Sequence, residues 1–451
     1  MTNIENIKKF KDQLFESAKK AGFTDYEIYF PRSENFEAYI LDQEVRDYKI
    51  YSPSGLSFRG TYDGKMGYAY TEKIDTEIID FLVNNAKNNA IIKETNDEVL
   101  FSGSESYAKS LGISPELEKI DATQKIEWAK QMEAHAKELD PRIVAVDYCV
   151  IGSNTGFLYI SNSHQLDLYD EYGSAMAYIS VRAVENNETK TGSKMWAARD
   201  FSDFDPKYMA QEAVTEATKK LGSSSIKTGD YSILIENKTM GNLLSAFLSN
   251  FFAENTQKGL SLLKDKLDTQ IATPKLTIRD NINHEKSLKH SIFDSEGVAI
   301  QDKTIIENGI LKMFLYNIKS ANKENKKTTG NGFKAGFKAT VATNINNFFI
   351  EPGDLSFDQL TKDFSGVLVT GFMGLHAGTN SVSGDFSLQA NGFLYENGKI
   401  IKPVEQITIA GNFYNLLKNI EQIGNDIYFS PMGGGIGSPT LAINSLKISG
   451  E

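Results

Sequence analysis

GFMGLHAGTNSVSGDFSLQANGFLYENGKIIKPVEQITIAGN, residues 371–412, decides the character of the C-terminal half of this 451-residue chain. Gly371, Gly374 and Gly378 are spaced through a loop that holds His376. Glycines at that density let a main chain take left-handed turns and come close to a substrate or to another backbone. After Ser383-Gly384-Asp385, the residues Phe386, Leu388 and Ala390 alternate with Ser387 and Gln389. A period of two predicts a half-buried strand. Asn397-Gly398 supplies a two-residue type I′ turn, so the chain should return along Ile400 to Ile409 as the partner strand. Asn412 then caps a predicted helix with Phe413, Leu416, Leu417 and Ile420 inward, closed by Gly424. His376, Thr379, Asn380, Ser383 and Asp385 are thereby gathered at the lip of a rigid sheet, where binding residues are commonly placed.

Working outward, strands and hairpins dominate from Gly229 onward, and the Glu-Asn-Gly turn occurs twice, at 307–309 and 396–398. Residues 240–252 are the exception, a predicted helix carrying Leu243, Leu244, Phe247, Leu248, Phe251 and Phe252. So wide an apolar arc should be buried in the domain or in a dimer contact. Towards the N-terminus the pattern is helix, sheet, helix, and it occurs twice. A helix from Ile4 ends at Gly22, strand runs follow at 25–30, 35–41, 45–52, 55–61 and 66–71, and Asp75 caps the next helix. Asp121 and Gln124 open a further helix, strand runs lie at 142–152, 156–161 and 175–183, and Asp205-Pro206 starts the last. The expected fold class is α+β, with an N-terminal α/β portion of antiparallel sheets flanked by helices. A mainly antiparallel C-terminal β domain around a buried helix completes it. The expected units are 1–120, 121–228 and 229–451, with 91–120 a polar connector.

A net charge of −11 disfavours a general polyanion binder, because phosphate binding rests on clustered Lys and Arg. The local exception is 319–338, where Lys323, Lys326, Lys327, Lys334 and Lys338 read as a solvated loop. Cys149 is the single cysteine, which excludes a disulfide within the chain and suggests a reducing cytoplasm. The first fifteen residues lack a leader's apolar stretch, and no window is apolar enough for a membrane span.

Zinc sites of the HExxH kind need two histidines one turn apart on a helix. None of the five histidines, at 135, 164, 284, 290 and 376, has that spacing. His284 and His290 would point to different faces of a helix, and their flanks predict a loop. His135 reads as a surface or edge residue of its helix. Ser383, His376 and Asp385 could be drawn as nucleophile, base and orienting acid. The simpler reading has Ser383 and Asp385 satisfying loop amides. The glycine-rich 431–438 lacks the Lys-[Ser/Thr] and following helix of a phosphate loop.

The stretch GLHAGTNSVSGDFSLQANGFLYENGKI with PVEQITIAGN resembles the TldD/PmbA family, also labelled modulators of DNA gyrase. Weaker similarity covers nearly the whole chain, around GLSFRGTYDGKMGYAY and FDSEGVAIQDKTIIENGILKMFLYN. The resemblance implies zinc-dependent peptide hydrolysis by a paired assembly, in which one kind of subunit carries an HExxxH helix. The wording here is similar to the other kind, PmbA or TldE, which lacks it. The HExxxH helix would correspond to 240–252, which holds no histidine or carboxylate, and the late cysteine ligand is missing. The resemblance therefore implies no metal bound by this chain alone, zinc in a partner subunit, and a homodimer or heterodimer with an HExxxH-bearing relative. A peptide substrate would lie in a cleft lined by His376, Asn380, Ser383 and Asp385, with no direct nucleic acid contact. The alternatives are a stand-alone hydrolase, or a non-enzymatic modulator of gyrase acting through protein contact.

Overall fold

The computed structural model describes residues 4–94, 98–431 and 434–451. Its N-terminal half is one antiparallel sheet of seven strands: β1 (Asp25–Leu41), β2 (Glu44–Tyr51), β3 (Leu56–Tyr62), β4 (Lys65–Thr71), β5 (Ile143–Asn162), β6 (Asp167–Glu185) and β7 (Glu188–Ala198). The order is β4-β3-β1-β5-β6-β7, with β2 paired to the far half of β1. Both helix–sheet–helix repeats therefore share a single sheet. β1 and β5 each run straight through the break that periodicity suggests. Pro31 is tolerated because β3 pairs with Asp25–Tyr29 and β2 with Asn35–Leu41. The proline falls in the gap between those two partners, where a residue without an N–H disturbs the ladder least.

Four helices cover one face. Ile4–Lys20 and Ile79–Ile91 pack Phe10, Leu14, Leu82 and Val83 onto Ile28, Phe30 and Phe58. Ala122–Leu139 and Pro206–Lys219 pack alanines and methionines onto Ala38, Ile40, Ile179 and Val181. Asp121 and Asp205 cap these last two helices as expected, each accepting from main-chain N–H groups of the first turn. On the opposite face, Tyr29, Ile160 and Leu166 meet Phe293 of the C-terminal half.

The C-terminal half wraps two six-stranded sheets around the helix Asn237–Phe247. The first runs Lys399–Asn412, Asp385–Glu396, Gly366–Met373, Gly229–Ile235, Leu441–Ser449, Ile420–Ile423. Pairing of Lys399–Asn412 with Leu441–Ser449 closes it into a barrel, and only Gly366–Met373 with Gly229–Ile235 is parallel there. The hairpin at Asn397-Gly398 forms as expected, with Phe386, Leu388 and Ala390 buried and Asp385, Ser387 and Gln389 exposed. The α+β class is thus observed, with this chain's own sheets covering the apolar helix.

Two local expectations are corrected. The helix after Asn412 stops at Lys418, because Ile420–Ile423 pairs with Leu441–Ser449 as a strand. Met240, Leu243, Leu244, Phe247 and Phe251 are all fully buried within the chain, so the apolar arc of 240–252 gives no reason for a dimer. Phe247 stacks on Phe413 at 4.4 Å, and Phe251 lies 5.4 Å from Phe348.

Candidate functional site

The glycine-rich loop is organised by its own backbone. Gly374 takes a left-handed φ of 77° and starts the single helical turn Leu375–Gly378. Gly378 lies against the following strand, where a Cβ would come within 2.5 Å of the Ser387 carbonyl oxygen. Gly371 is similarly close to the Asn391 side chain. The near neighbour of these two glycines is therefore another part of this chain. Asn380 Oδ1 accepts from the N–H groups of Val382 and Ser383 at 3.0 and 3.2 Å. Ser383 Oγ accepts from Asp385 N at 3.3 Å, and Asp385 Oδ1 accepts from Asn412 Nδ2 at 2.9 Å. Side-chain hydrogen bonds to the carboxylate, from Asn412 first and then from Ser383, hold the Asp385 carboxyl below its ordinary pKa. His376 is exposed, and among the described residues it bonds neither Ser383 nor Asp385. The serine–histidine pair of a nucleophilic site is therefore not formed between Ser383 and His376.

His284 and His290 lie on a loop, as their flanks predict, and serve separate surroundings. His284 packs against Phe349 and Phe429 at 4.9 and 4.6 Å, and its Nδ1 accepts from Lys286 N. His290 borders a small cavity beside Asp170, and its buried Nδ1 has no partner. Burial lowers both imidazole pKa values. Among the described residues, no three His, Cys, Asp or Glu side chains converge as a metal site. The 240–252 segment does not fit zinc of the HExxxH kind. Its interior polar residue, Asn250, gives Nδ2 to Phe247 O at 3.0 Å and accepts from Tyr414 OH at 2.9 Å. An amide tied to two protein partners takes the place of a metal ligand, and the segment holds no histidine or carboxylate.

Two adjoining cavities lie elsewhere, along the seam between the two halves. One of about 480 Å³ sits on the open face of the N-terminal sheet, walled by Phe36, Val150, Met176, Tyr178, Met195 and Leu288. A second of about 210 Å³ shares Ala197, Leu288 and Pro431 with it and includes Lys289, whose ammonium burial pushes down to a pKa of about 8. Met432 and Gly433 of the late glycine loop lie outside the described residues. Neither cavity is lined by His376, Asn380, Ser383 or Asp385.

The seam also holds a buried ionic cluster that sequence reading missed. Arg59 Nε donates to Glu27 Oε1 at 2.7 Å, and Glu27 accepts from Asn162 on its other oxygen. Lys334, read from sequence as part of a solvated loop, is buried. Its Nζ donates to Ser57 Oγ at 2.9 Å and lies 4.6 Å over the Tyr29 ring. Burial, then the charge of Arg59, lowers its pKa to about 7. Asp294 accepts from the N–H groups of Glu296, Val298 and Gly332, and Glu296 from Ile318 N. Burial raises both carboxyls above the usual carboxylate range. Asp294 and Glu296 belong to FDSEG and Arg59 to GLSFRGT, two of the stretches that carried the resemblance. The order of residues gave no sign that they meet.

Comparison with known proteins agrees along the whole chain. Family profiles of the PmbA/TldA metallopeptidase match in succession: domain 1 at residues 26–90, the central domain at 115–221 and the C-terminal domain at 228–450. The chain is 30% identical to a metalloprotease PmbA homolog of Haemophilus influenzae, over 74% of this chain and 71% of that protein. The crystal structure of a Thermotoga maritima protein, named as a candidate modulator of a DNA gyrase, superposes with a TM-score of 0.90 at 32% identity. It covers 98% of this chain and 100% of that one. TldE of Thermococcus kodakarensis has the same fold, with a TM-score of 0.90 at 24% identity over 98% of this chain and all of that one.

Proposed function

The chain belongs to the PmbA/TldD metallopeptidase family, and from that premise we propose that it is the PmbA/TldE-like subunit of a zinc-dependent peptidase, contributing peptide-binding surface and no metal ligands. The observation that carries this reading is Asn250. At the position of the catalytic helix the buried polar group is an amide satisfied on both sides by protein. The open apolar cavity of about 480 Å³ is wide enough to take side chains of an extended peptide, and falls in the usual range for ligand sites. The exposed loop with His376, Asn380, Ser383 and Asp385 is a second contact surface, toward peptide or partner. Zinc, held by the partner subunit, would supply the polarisation of water that hydrolysis needs. This chain's part is to bind and orient the peptide. The assembly is a dimer with an HExxxH-bearing relative in the cytoplasm, and neither nucleic acid nor a membrane is a partner. Among the described residues no helix is long and apolar enough to cross a membrane.

The decisive experiment is reconstitution. The purified chain should carry no stoichiometric zinc and cleave no peptide, and mixing with an HExxxH-bearing relative should give cleavage above that of the relative alone. One tightly held zinc per chain, or peptide cleavage by the chain alone that chelators do not abolish, would overturn the proposal. The second outcome would favour a stand-alone hydrolase.

A further inference from the structure

A separate cavity of about 410 Å³ opens on the seam between the helix Pro206–Lys219, strand β7 and the start of the helix Asn237–Phe247. Seven ionisable side chains other than tyrosine line it, and four neutralise one another. Lys194 Nζ is 3.0 Å from Glu212, and Lys220 Nζ is 2.8 Å from Glu216. Glu216 is further engaged by Ser193 N. Three remain: Lys219, Lys238 and Glu236. The Glu236 side chain is half-buried, makes no cap bond to the helix it precedes, and has no hydrogen-bond partner among the described residues. Its neighbour Asp426 is in a different position, since its oxygens accept from Thr440 N, Thr440 Oγ1 and Asn237 Nδ2. Met195, Phe393 and Tyr428 give the cavity apolar walls.

A carboxyl that no protein group pairs with, facing an open cavity, is left to water or to a cationic ligand. We propose that this cavity binds a small zwitterion, a free amino acid or dipeptide, with its ammonium on Glu236, its carboxylate on Lys238 and Lys219, and its side chain against Phe393 and Met195. One carboxylate and two free ammonium groups complement the two ends of such a ligand, whereas a simple anion would leave Glu236 unpaired. The volume is near the low end of small-molecule sites and excludes a long peptide. The site uses none of the residues of the apolar peptide surface except Met195.

Burial, opposed by Lys238, lifts the Glu236 pKa to about 7. An ammonium ligand selects its ionised form, so affinity should rise between pH ~6 and ~7, below the pH at which a dipeptide's own amine starts to lose its proton. The charged groups facing Glu236 are Lys238 and Asp426 from the C-terminal half and Glu216 and Lys220 from the helix Pro206–Lys219. Lys219, Lys194, Glu212 and Tyr428 complete the lining.

Calorimetric titration of the intact chain with Ala-Phe, and with the same dipeptide acetylated and amidated, tests the proposal. Ala-Phe should bind in the millimolar range or tighter and the blocked form should not. Glu236→Gln and Lys238→Met, checked by thermal melts for folding, should each weaken binding by about tenfold or more. The site is overturned if Ala-Phe gives no heat at millimolar concentration, if the blocked dipeptide binds equally, or if both folded variants bind as the parent does. The measurement needs neither zinc nor a partner subunit, so its failure leaves the peptidase reading standing.

Discussion

Lys334 Nζ donates to Ser57 Oγ at 2.9 Å, a bond between residues 277 apart that ties the N-terminal sheet to the C-terminal half. Both ends are buried, so neither can be exchanged for water. Ser57→Ala should therefore cost about 1–3 kcal/mol, the penalty of an unmet buried donor rather than the smaller net worth of a bond. Gly332→Ala should be at least as costly. Its added Cβ would point at Glu296 Oε2, and that side chain is fixed by its bond from Ile318 N. Urea midpoints for the two variants check this. A parent-like value for Gly332→Ala would show that Glu296 moves freely.

The same cluster, together with Glu236 of the cavity of about 410 Å³, makes stability depend on pH, with a sign that can be worked out. Burial raises the carboxyls of Asp294, Glu296 and Glu236, the last to about 7. Each holds a proton in the folded state that the unfolded chain has released above its ordinary carboxylate value. Their contribution is present at low pH and is lost as pH rises through neutrality. Lys334, lowered to about 7, works in the other direction: the unfolded lysine holds its proton above that pH, so stability recovers as pH climbs further. Denaturation midpoints should pass through a minimum at neutral to mildly alkaline pH. Glu296→Gln should flatten the descending limb by the order of 1 kcal/mol, and Lys334→Met should remove the recovery. A monotonic profile in the parent chain would contradict the assignment.

Phe251→Asp separates the two roles once open to the apolar helix. Phe251 is fully buried in the core, 5.4 Å from Phe348. Placing a carboxylate there should cost about 3–5 kcal/mol or more, from lost burial and an unpaired charge. The variant should be unfolded or insoluble. Recovery of a folded, soluble monomer would restore the helix as an interface element.

What was legible in the sequence follows the range of the interactions. Asn397-Gly398, the alternation 386–390 and the caps Asp121, Asp205 and Asn412 are set by neighbours a few residues away, and all form as read. Strand ends were less legible, because β1 and β5 are extended by partners brought from far along the chain. Lys334 shows the limit most clearly. It stands among lysines that do face solvent, such as Lys338, and only the distant Ser57 and Tyr29 distinguish it. Glu236 was equally silent, since a cavity is a property of elements meeting and has no local period.

The loop at 371–385 gives the last prediction, and its geometry changes what is expected of Asp385. A buried carboxylate holding loop amides would have been expensive to remove. The side chain is instead fully exposed and holds one side-chain amide, that of Asn412. Asn412 keeps its capping bonds to Tyr414 N and Asn415 N whether or not Asp385 is present. Asp385→Ala should therefore barely move the thermal midpoint, while Asn412→Ala, which strips the cap itself, should cost about 1 kcal/mol. His376→Ala should also leave the melt unchanged, because the imidazole is exposed on a single helical turn closed by the Gly374 carbonyl. If this loop contacts peptide or partner, His376→Ala must lower peptide cleavage by the reconstituted pair at unaltered stability. Melts and cleavage rates measured side by side decide it. Full cleavage by both His376→Ala and Asp385→Ala would remove the loop from the working surface and leave the sheet-face cavity as the peptide contact.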